Sequence, residues 1–261
     1  MLRLDELAVG YAGARGAVLE PITVEAPPGR FICLLGRNGA GKSTLMRTIA
    51  GLQPALGGKV ALGDEDVLAL SPAQRARRIA LVLTERIASP GLTVDDVVLL
   101  GRAPFSAWHG RMSAEDIDLA RGAMTQTDAS PFAGRLFDSL SDGERQRVMI
   151  ARAVAQAPRL MILDEITAFL DLPGRVEMMT MLRRHARQSG CIVLLSSHDL
   201  DLSLQLADDI WLAGGDGRLA IGTPGALAAS GAINAAFDSG AVRFSAELGR
   251  FELNSLEALA S

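Results

Sequence analysis

Gly36-Arg37-Asn38-Gly39-Ala40-Gly41-Lys42-Ser43 is the stretch on which the reading of this chain turns. It satisfies every position of the phosphate-binding pattern G-x-x-x-x-G-K-[ST], and its surroundings are those the pattern needs. The apolar run 31–35 ahead of it reads as a strand, and residues 43–51 after it carry helical spacing. The glycines let backbone N–H groups close around phosphate oxygens without interference from Cβ atoms. The helix start that follows adds a favourable dipole for an anion. Lys42 is placed to reach the β- and γ-phosphates of a nucleotide, and the Ser43 hydroxyl to ligate Mg²⁺. Composition singles out the same lysine. The chain has only Lys42 and Lys59 against 24 arginines, so position 42 keeps a compact ammonium where guanidinium is used almost everywhere else.

Outward from that loop, apolar runs alternate with helical patterns. Residues 79–83, 160–163 and 192–195 read as further strands. Short continuous apolar strands separated by helices mark a parallel sheet covered on both faces. Ligands of such sheets gather at the carboxyl ends of the strands. Three runs lead there into polar motifs: 36–43, Asp164-Glu165 and 196–199. Residues 87–140 differ. Helix-like pieces at 94–100 and 114–125 are broken by Gly101, Pro104, Gly110 and Pro131, which reads as a helical insertion. The first 30 residues are strand-like and rich in turn residues, and the segment after Gly222 carries no chemical motif.

Of the 261 residues, 49% are hydrophobic and 21% charged, as in ordinary globular domains. A net charge of -4 without a long basic run argues against a nucleic-acid binder. The apolar stretches are far too short to cross a bilayer, and the N-terminus has no secretory pattern. A membrane role is therefore expected only through a partner. Cys33 and Cys191 each lie in an apolar run that reads as a strand, and are expected to be small buried hydrophobes without a disulfide or metal.

Leu160-Met161-Ile162-Leu163-Asp164-Glu165 is a buried-type strand ending in two carboxylates. Beside a phosphate loop, Asp164 suits the Mg²⁺ shell and Glu165 suits polarising an attacking water. Leu140-Ser141-Asp142-Gly143-Glu144-Arg145-Gln146-Arg147 opens a helix that runs towards Pro158. Ser141 with Glu144 three residues later is a capping-box pattern, and a helix start of this kind is a second place for an anion.

That segment resembles the LSGGQ signature of the ABC ATPases, and it precedes the Asp-Glu pair as the family requires. The resemblance implies a P-loop NTPase of α/β class. Its core is a RecA-like, mostly parallel sheet with an N-terminal antiparallel β region and a helical insertion. It implies ATP and Mg²⁺ as ligands and a homodimer that sandwiches nucleotide. Ser141 and Gly143 would contact the γ-phosphate held by the partner's loop, residues Gly36 to Thr44. Asp142 replaces a glycine and Glu144 a glutamine, and Asp142 is expected to face away from the phosphate. Asp171 resembles the acid of the D-loop, although Ile166 and Phe169 depart from its usual Pro and Ser. His198 resembles the switch histidine that meets the γ-phosphate. Tyr11 stands where the family stacks an aromatic on adenine; packing of a turn is the other reading. Where the family has a glutamine after the strand 79–83, this chain has Thr84-Glu85. Thr84 is expected near Mg²⁺ through a water, with Glu85 on the opposite side.

The resemblance covers nearly the whole chain. It implies a core at 1–86 and 147–230, an insertion at 87–146 and a tail at 231–261. The run Leu92-Thr93-Val94-Asp95-Asp96-Val97-Val98-Leu99-Leu100-Gly101-Arg102-Ala103-Pro104 is similar to T-V-x-x-x-V-x-x-G-R-x-P. That pattern belongs to the ATPase subunits of importers for iron–siderophore complexes, haem and vitamin B12. Such a subunit would dock on an integral membrane permease through residues 92–108, at the cytoplasmic face of the inner membrane, and would serve a substrate-binding protein indirectly. Phe105 and Trp108 fit that interface or pack the insertion's own core. An importer for another solute and a non-transport ABC ATPase stay open. A kinase with the same loop would leave the Ser141 helix and His198 without a purpose.

Overall fold

Alternation along three apolar strands sorts their side chains to opposite sides of one sheet. The computed structural model describes residues 1–13, 16–83, 90–106, 111–168, 170–237, 242–245 and 250–253. Its first half runs β1 (Leu2–Tyr11), β2 (Gly16–Ala26), β3 (Phe31–Gly36), α1 (Lys42–Ile49), β4 (Gly57–Leu62), β5 (Glu65–Asp66), α2 (Pro72–Ala76), β6 (Ile79–Val82), α3 (Val94–Leu99) and α4 (Ala114–Gln126). The second half runs α5 (Asp142–Ala155), β7 (Leu160–Asp164), α6 (Leu172–Ser189), β8 (Ile192–Ser196), α7 (Leu200–Leu206), β9 (Asp209–Ala213), β10 (Leu219–Gly222), α8 (Pro224–Ala229), α9 (Ala232–Phe237), β11 (Val242–Ser245) and β12 (Arg250–Leu253).

The main sheet has the order β10-β9-β3-β8-β7-β6 and is parallel except for β10, which runs antiparallel to β9. Every residue of β3, β7 and β8 is buried. Cys33, Leu35, Met161, Leu163, Val193 and Leu195 face one core, which they share with Met178 and Leu182 of α6. Ile32, Leu34, Leu160, Ile162, Ile192 and Leu194 face the other, with Leu45 and Ile49 of α1. The second sheet, of order β2-β1-β4-β5, is antiparallel and closes that core with Leu4, Val9 and Val60. The expected fold class is what is found.

Residues 94–100 and 114–125 form α3 and α4 as their patterns require. Their apolar faces, including Val97, Val98, Ala120 and Met124, join Val148 and Ile150 of α5 in the first core. A buried ion pair, Arg102 Nε to Asp116 Oδ1 at 2.9 Å, crosses this region, and Arg102 Nη1 also donates to the Ala155 carbonyl at 2.9 Å. Gln156, after the last turn of α5, donates to the carbonyls of Ala76 and Ile79 at 2.5 and 2.7 Å. The helical region is thereby tied to the start of β6.

The segment after Gly222 folds onto the same core through Leu227, Ile233 and Phe244. Phe251 of β12 packs edge-on against Phe244 and Phe237, with centroids 5.3 and 6.1 Å apart. Cys33 lies in β3 as expected, while Cys191 precedes β8 by one residue; both are buried and free. Among the described residues no helix is long and apolar enough to cross a membrane. Thr84, Glu85, Trp108 and Phe169 lie outside the described residues.

Candidate nucleotide site

β3 ends at Gly36 and α1 begins at Lys42, so the loop between them lies at the carboxyl end of a central strand. Gly41 caps α1 with φ 91° and ψ 4°, a left-handed conformation. A Cβ there would also come within 2.7 Å of Val18 Cγ1. At Gly36, φ is 146° and a Cβ would lie 2.6 Å from the Ala213 carbonyl oxygen. Glycine at these two positions lets the loop hug β9 and β2 and turn sharply into the helix. The first N–H groups of α1 then face outward without a carbonyl one turn back. Lys42 Nζ donates to the carbonyls of Gly36 at 2.7 Å and Arg37 at 3.2 Å, so the ammonium curls over the loop. Burial pulls its pKa below the ordinary value, while Glu165 and Asp164 push it back up.

A cleft of about 390 Å³ opens over this loop, lined by Tyr11, Asn38, Lys42, Ser43, Thr44 and Glu165 among others. Tyr11, at the end of β1, brings its hydroxyl to 3.3 Å from Thr44 Oγ1. Its ring is thus tethered to the helix that carries Lys42 and Ser43.

The Asp164 carboxylate and the Glu165 backbone are held by a residue to which sequence reasoning gave no role. Ser196 is fully buried at the end of β8, in register with Asp164 of β7. Its hydroxyl donates to Asp164 Oδ1 at 2.5 Å and accepts the Glu165 backbone N–H at 3.0 Å. The available signal was slight: a polar residue closing an otherwise apolar strand. Glu165 has φ 50°, left-handed for a residue with a Cβ. Such a conformation costs about 1–2 kcal/mol and persists where the surroundings enforce it. In it, Glu165 Oε1 meets His198 Nε2 at 2.6 Å.

Glu165 and His198 also border a second cleft of about 220 Å³, with Thr167, Ala168, Arg175 and Asp199. Arg175 joins two loops there. Its Nε donates to the Leu170 carbonyl at 2.9 Å and its Nη1 lies 3.3 Å from Asp199 Oδ2. Asp199 caps α7 through the Leu202 N–H, and Asp171 caps α6 through the Gly174 N–H. No sequence pattern pointed to Arg175.

Ser141 caps α5, and the capping box is formed: Ser141 N donates to Glu144 Oε2 at 2.7 Å and Glu144 N to Ser141 Oγ at 3.4 Å. The Ser141 N–H first, and then the Arg135 guanidinium, hold the Glu144 carboxyl down at about 2. Asp142 leans to Arg145, 3.9 Å away. A Cβ on Gly143 would reach to 3.1 Å from Leu170 Cδ2, so the signature packs closely on the loop before α6. One chain therefore gathers Tyr11, the phosphate loop and, through Glu165, His198. The described linings of both clefts include none of Ser141, Gly143 and Asp171.

The sequence profile of the ABC transporter family matches residues 19–168. An ABC transporter ATP-binding protein of Methanocaldococcus jannaschii is 36% identical over 255 residues, covering 98% of this chain and 87% of that relative. The iron(3+)-hydroxamate import ATP-binding protein FhuC of Bacillus subtilis is 34% identical over 200 residues, covering 77% of this chain and 74% of that relative. A solved dimeric ATP-binding cassette, in a post-hydrolysis state with ADP and Pi bound, superposes with a TM-score of 0.73 at 25% identity. That likeness covers 86% of this chain and 99% of the other.

Proposed function

We infer, for a chain that belongs to the ABC transporter family as an ATP-binding and ATP-hydrolysing subunit, that its catalytic site is completed by a second copy of itself. The observation that carries this reading is the division of the site residues within one chain. The phosphate loop, Asp164, Glu165 and His198 lie around one end of the parallel strands, while the Ser141 helix start lies outside that cleft. The family's sandwich brings the partner's Ser141 and Gly143 to the open side.

The residues fit the nucleotide and its metal. A Cβ at Gly36 or Gly41 would collide with Ala213 or Val18, so the loop can take this cradle shape only with glycine there. Ser43 and Asp164 offer a hydroxyl and a carboxylate, hard oxygen donors that suit Mg²⁺, an ion that fills its remaining positions with waters and substrate phosphates. Bound there, Mg²⁺ would supply charge neutralisation on the phosphates. Lys42 would leave the carbonyls of Gly36 and Arg37 for the β- and γ-phosphates. Glu165 would take a proton from the attacking water as the water oxygen bonds to the γ-phosphorus. The bond to the β–γ bridging oxygen breaks, and ADP and phosphate result. His198 would hold Glu165 and touch the γ-phosphate, Tyr11 would carry the adenine, and Asp171 would fix the loop before α6 at the dimer interface.

The core at 1–86 and 147–230 holds the nucleotide and the insertion at 87–146 moves with it through α5; of the tail at 231–261, the described residues Ile233, Phe244 and Phe251 pack on the core. Leu100 and Phe105 are exposed at 48% and 37% on the insertion, which supports residues 92–108 as the permease-docking face. Phe105 also lies under the Arg102 guanidinium at 4.2 Å, which presets its ring. Cargo of the iron-chelate, haem or cobalamin kind is supported by the 92–104 pattern and by the iron(3+)-hydroxamate import relative. The working place is then the cytoplasmic face of the membrane, held through the permease.

The test is Ser141→Arg in the purified chain. Hydrolysis should be lost while nucleotide binding by the isolated subunit stays nearly intact. Equal loss of both would mean that the two motifs act within one chain.

A further inference from the structure

The signature of this chain carries two carboxylates, Asp142 and Glu144, where the resembled motif has a glycine and a glutamine. Two extra negative charges at a helix start that must face a polyphosphate oppose binding by simple Coulomb repulsion. Glu144 cannot turn away, because its Oε2 accepts the Ser141 N–H at 2.7 Å and so completes the cap. Its other oxygen is taken by Arg135, whose Nη1 lies 2.8 Å from Glu144 Oε1. Arg135 comes from the segment between α4 and α5 and lies over the Phe132 ring at 5.7 Å. The pair is partly exposed, with side-chain exposures of 43% and 26%, and pairs of that kind contribute little to folding. Its effect lies in the local potential. With the Glu144 charge paired, the Ser141 hydroxyl accepts the Glu144 N–H and keeps its own proton to donate outward.

We propose that Arg135 is a positioning residue for ATP hydrolysis, neutralising Glu144 so that an acidic signature can face the terminal phosphate of the partner's nucleotide. The proposal rests on the reading above, in which Ser141 and Gly143 meet that phosphate. Asp142 lies 3.9 Å from Arg145, so the two acids of the signature answer to different arginines, and Arg135 is the one that serves Glu144.

The experiment is a substitution cycle in the full chain, read by steady-state ATP hydrolysis and by nucleotide binding to the isolated subunit. Arg135→Gln should raise the KM for ATP roughly ten-fold, the scale of one uncompensated charge near a surface. Binding to the isolated subunit should not change. Adding Glu144→Gln, which keeps an acceptor for the cap, should restore KM to within about two-fold of the wild type, since the two substitutions share one interaction. A silent Arg135→Gln would overturn the proposal. So would a defect that Glu144→Gln does not repair, which would assign Arg135 to structure alone. Ser141→Arg separates the two levels. If it leaves hydrolysis intact, the sandwich reading fails; if it blocks hydrolysis while Arg135→Gln is silent, only the charge pairing fails.

Discussion

His198 Nε2 lies 2.6 Å from Glu165 Oε1, and it meets that carboxylate because Glu165 holds a left-handed backbone at φ 50°. The backbone conformation, the Ser196 hydroxyl on the Glu165 N–H and the His198 ring together fix one carboxylate between two clefts. A group that must receive a proton from a single water gains from such fixation, since misplacement is costly in rate.

Glu165→Gln should therefore retain nucleotide affinity and lower turnover roughly 10²-fold or more, the scale of a general base. Glu165→Gly should lose turnover equally. Its melting temperature should not fall below that of Glu165→Gln, because glycine relieves the left-handed strain. Calorimetry beside an ATPase assay reads both. A glycine variant that melts well below the glutamine variant would show that the strain is absent in solution.

Ser196→Ala removes a fully buried hydroxyl that serves both carboxylate residues. The Glu165 N–H is left without its partner, which costs about 1–3 kcal/mol. The denaturation midpoint should drop accordingly, and kcat should fall while KM for ATP moves little. An unchanged midpoint would mean that the hydroxyl holds nothing.

Arg175→Lys keeps the charge but cannot span Leu170 and Asp199 with one planar group. Stability should shift by less than about 1 kcal/mol, as expected for a partly exposed pair. The reduction should appear in kcat, because the loop ahead of α6 and the loop carrying His198 lose their common anchor. Normal turnover in that variant would remove Arg175 from any role in the site.

Acid stability follows from two carboxylates. Arg102 first, then the Ser113 backbone and hydroxyl, hold Asp116 at about 2 against an ordinary 3.8. Glu144 is held at about 2 against 4.5. Both bind protons more weakly folded than unfolded, so the unfolded chain gains protons first as pH falls. Their contribution is complete above about pH 5 and is lost progressively between pH 4.5 and 2. Asp116→Asn or Glu144→Gln should flatten the denaturation midpoint against pH across that window. A slope identical to wild type would refute the assignment.

Burial pushes the thiols of Cys33 and Cys191 up to about 12. At pH 8 the folded chain should not react with a thiol reagent, and the denatured chain should release both thiols. Rapid labelling of the folded chain would place a cysteine at the surface.

What the sequence made legible depended on how local the cause was. The phosphate loop is a contiguous pattern with a steric cause, visible in Gly36 and Gly41 before any fold is known. The strands were legible because burial on both faces leaves no polar position in β7 or β8 until the last residue, Asp164 and Ser196. The cap of α5 was legible from Ser141 and Glu144, three residues apart. Ser196 and Arg175 were not, because their partners Asp164 and Asp199 lie 32 and 24 residues away and meet them only across the folded sheet and loops. The hairpin β11–β12 was hidden for a similar reason. Phe237, Phe244 and Phe251 are unremarkable singly and acquire meaning only as a stack.

The bond between the Tyr11 and Thr44 hydroxyls ties two anchor points for one elongated ligand to a single rigid helix. A nucleotide seated as proposed is then gripped at both ends by one body, like a bidentate chelate. Once the triphosphate is held at Lys42 and Ser43, the base meets Tyr11 at a high effective concentration, so a weak stacking contact suffices. Nucleotides with different bases should consequently differ little in affinity for this chain, whereas shortening the phosphate tail should forfeit the grip at both ends.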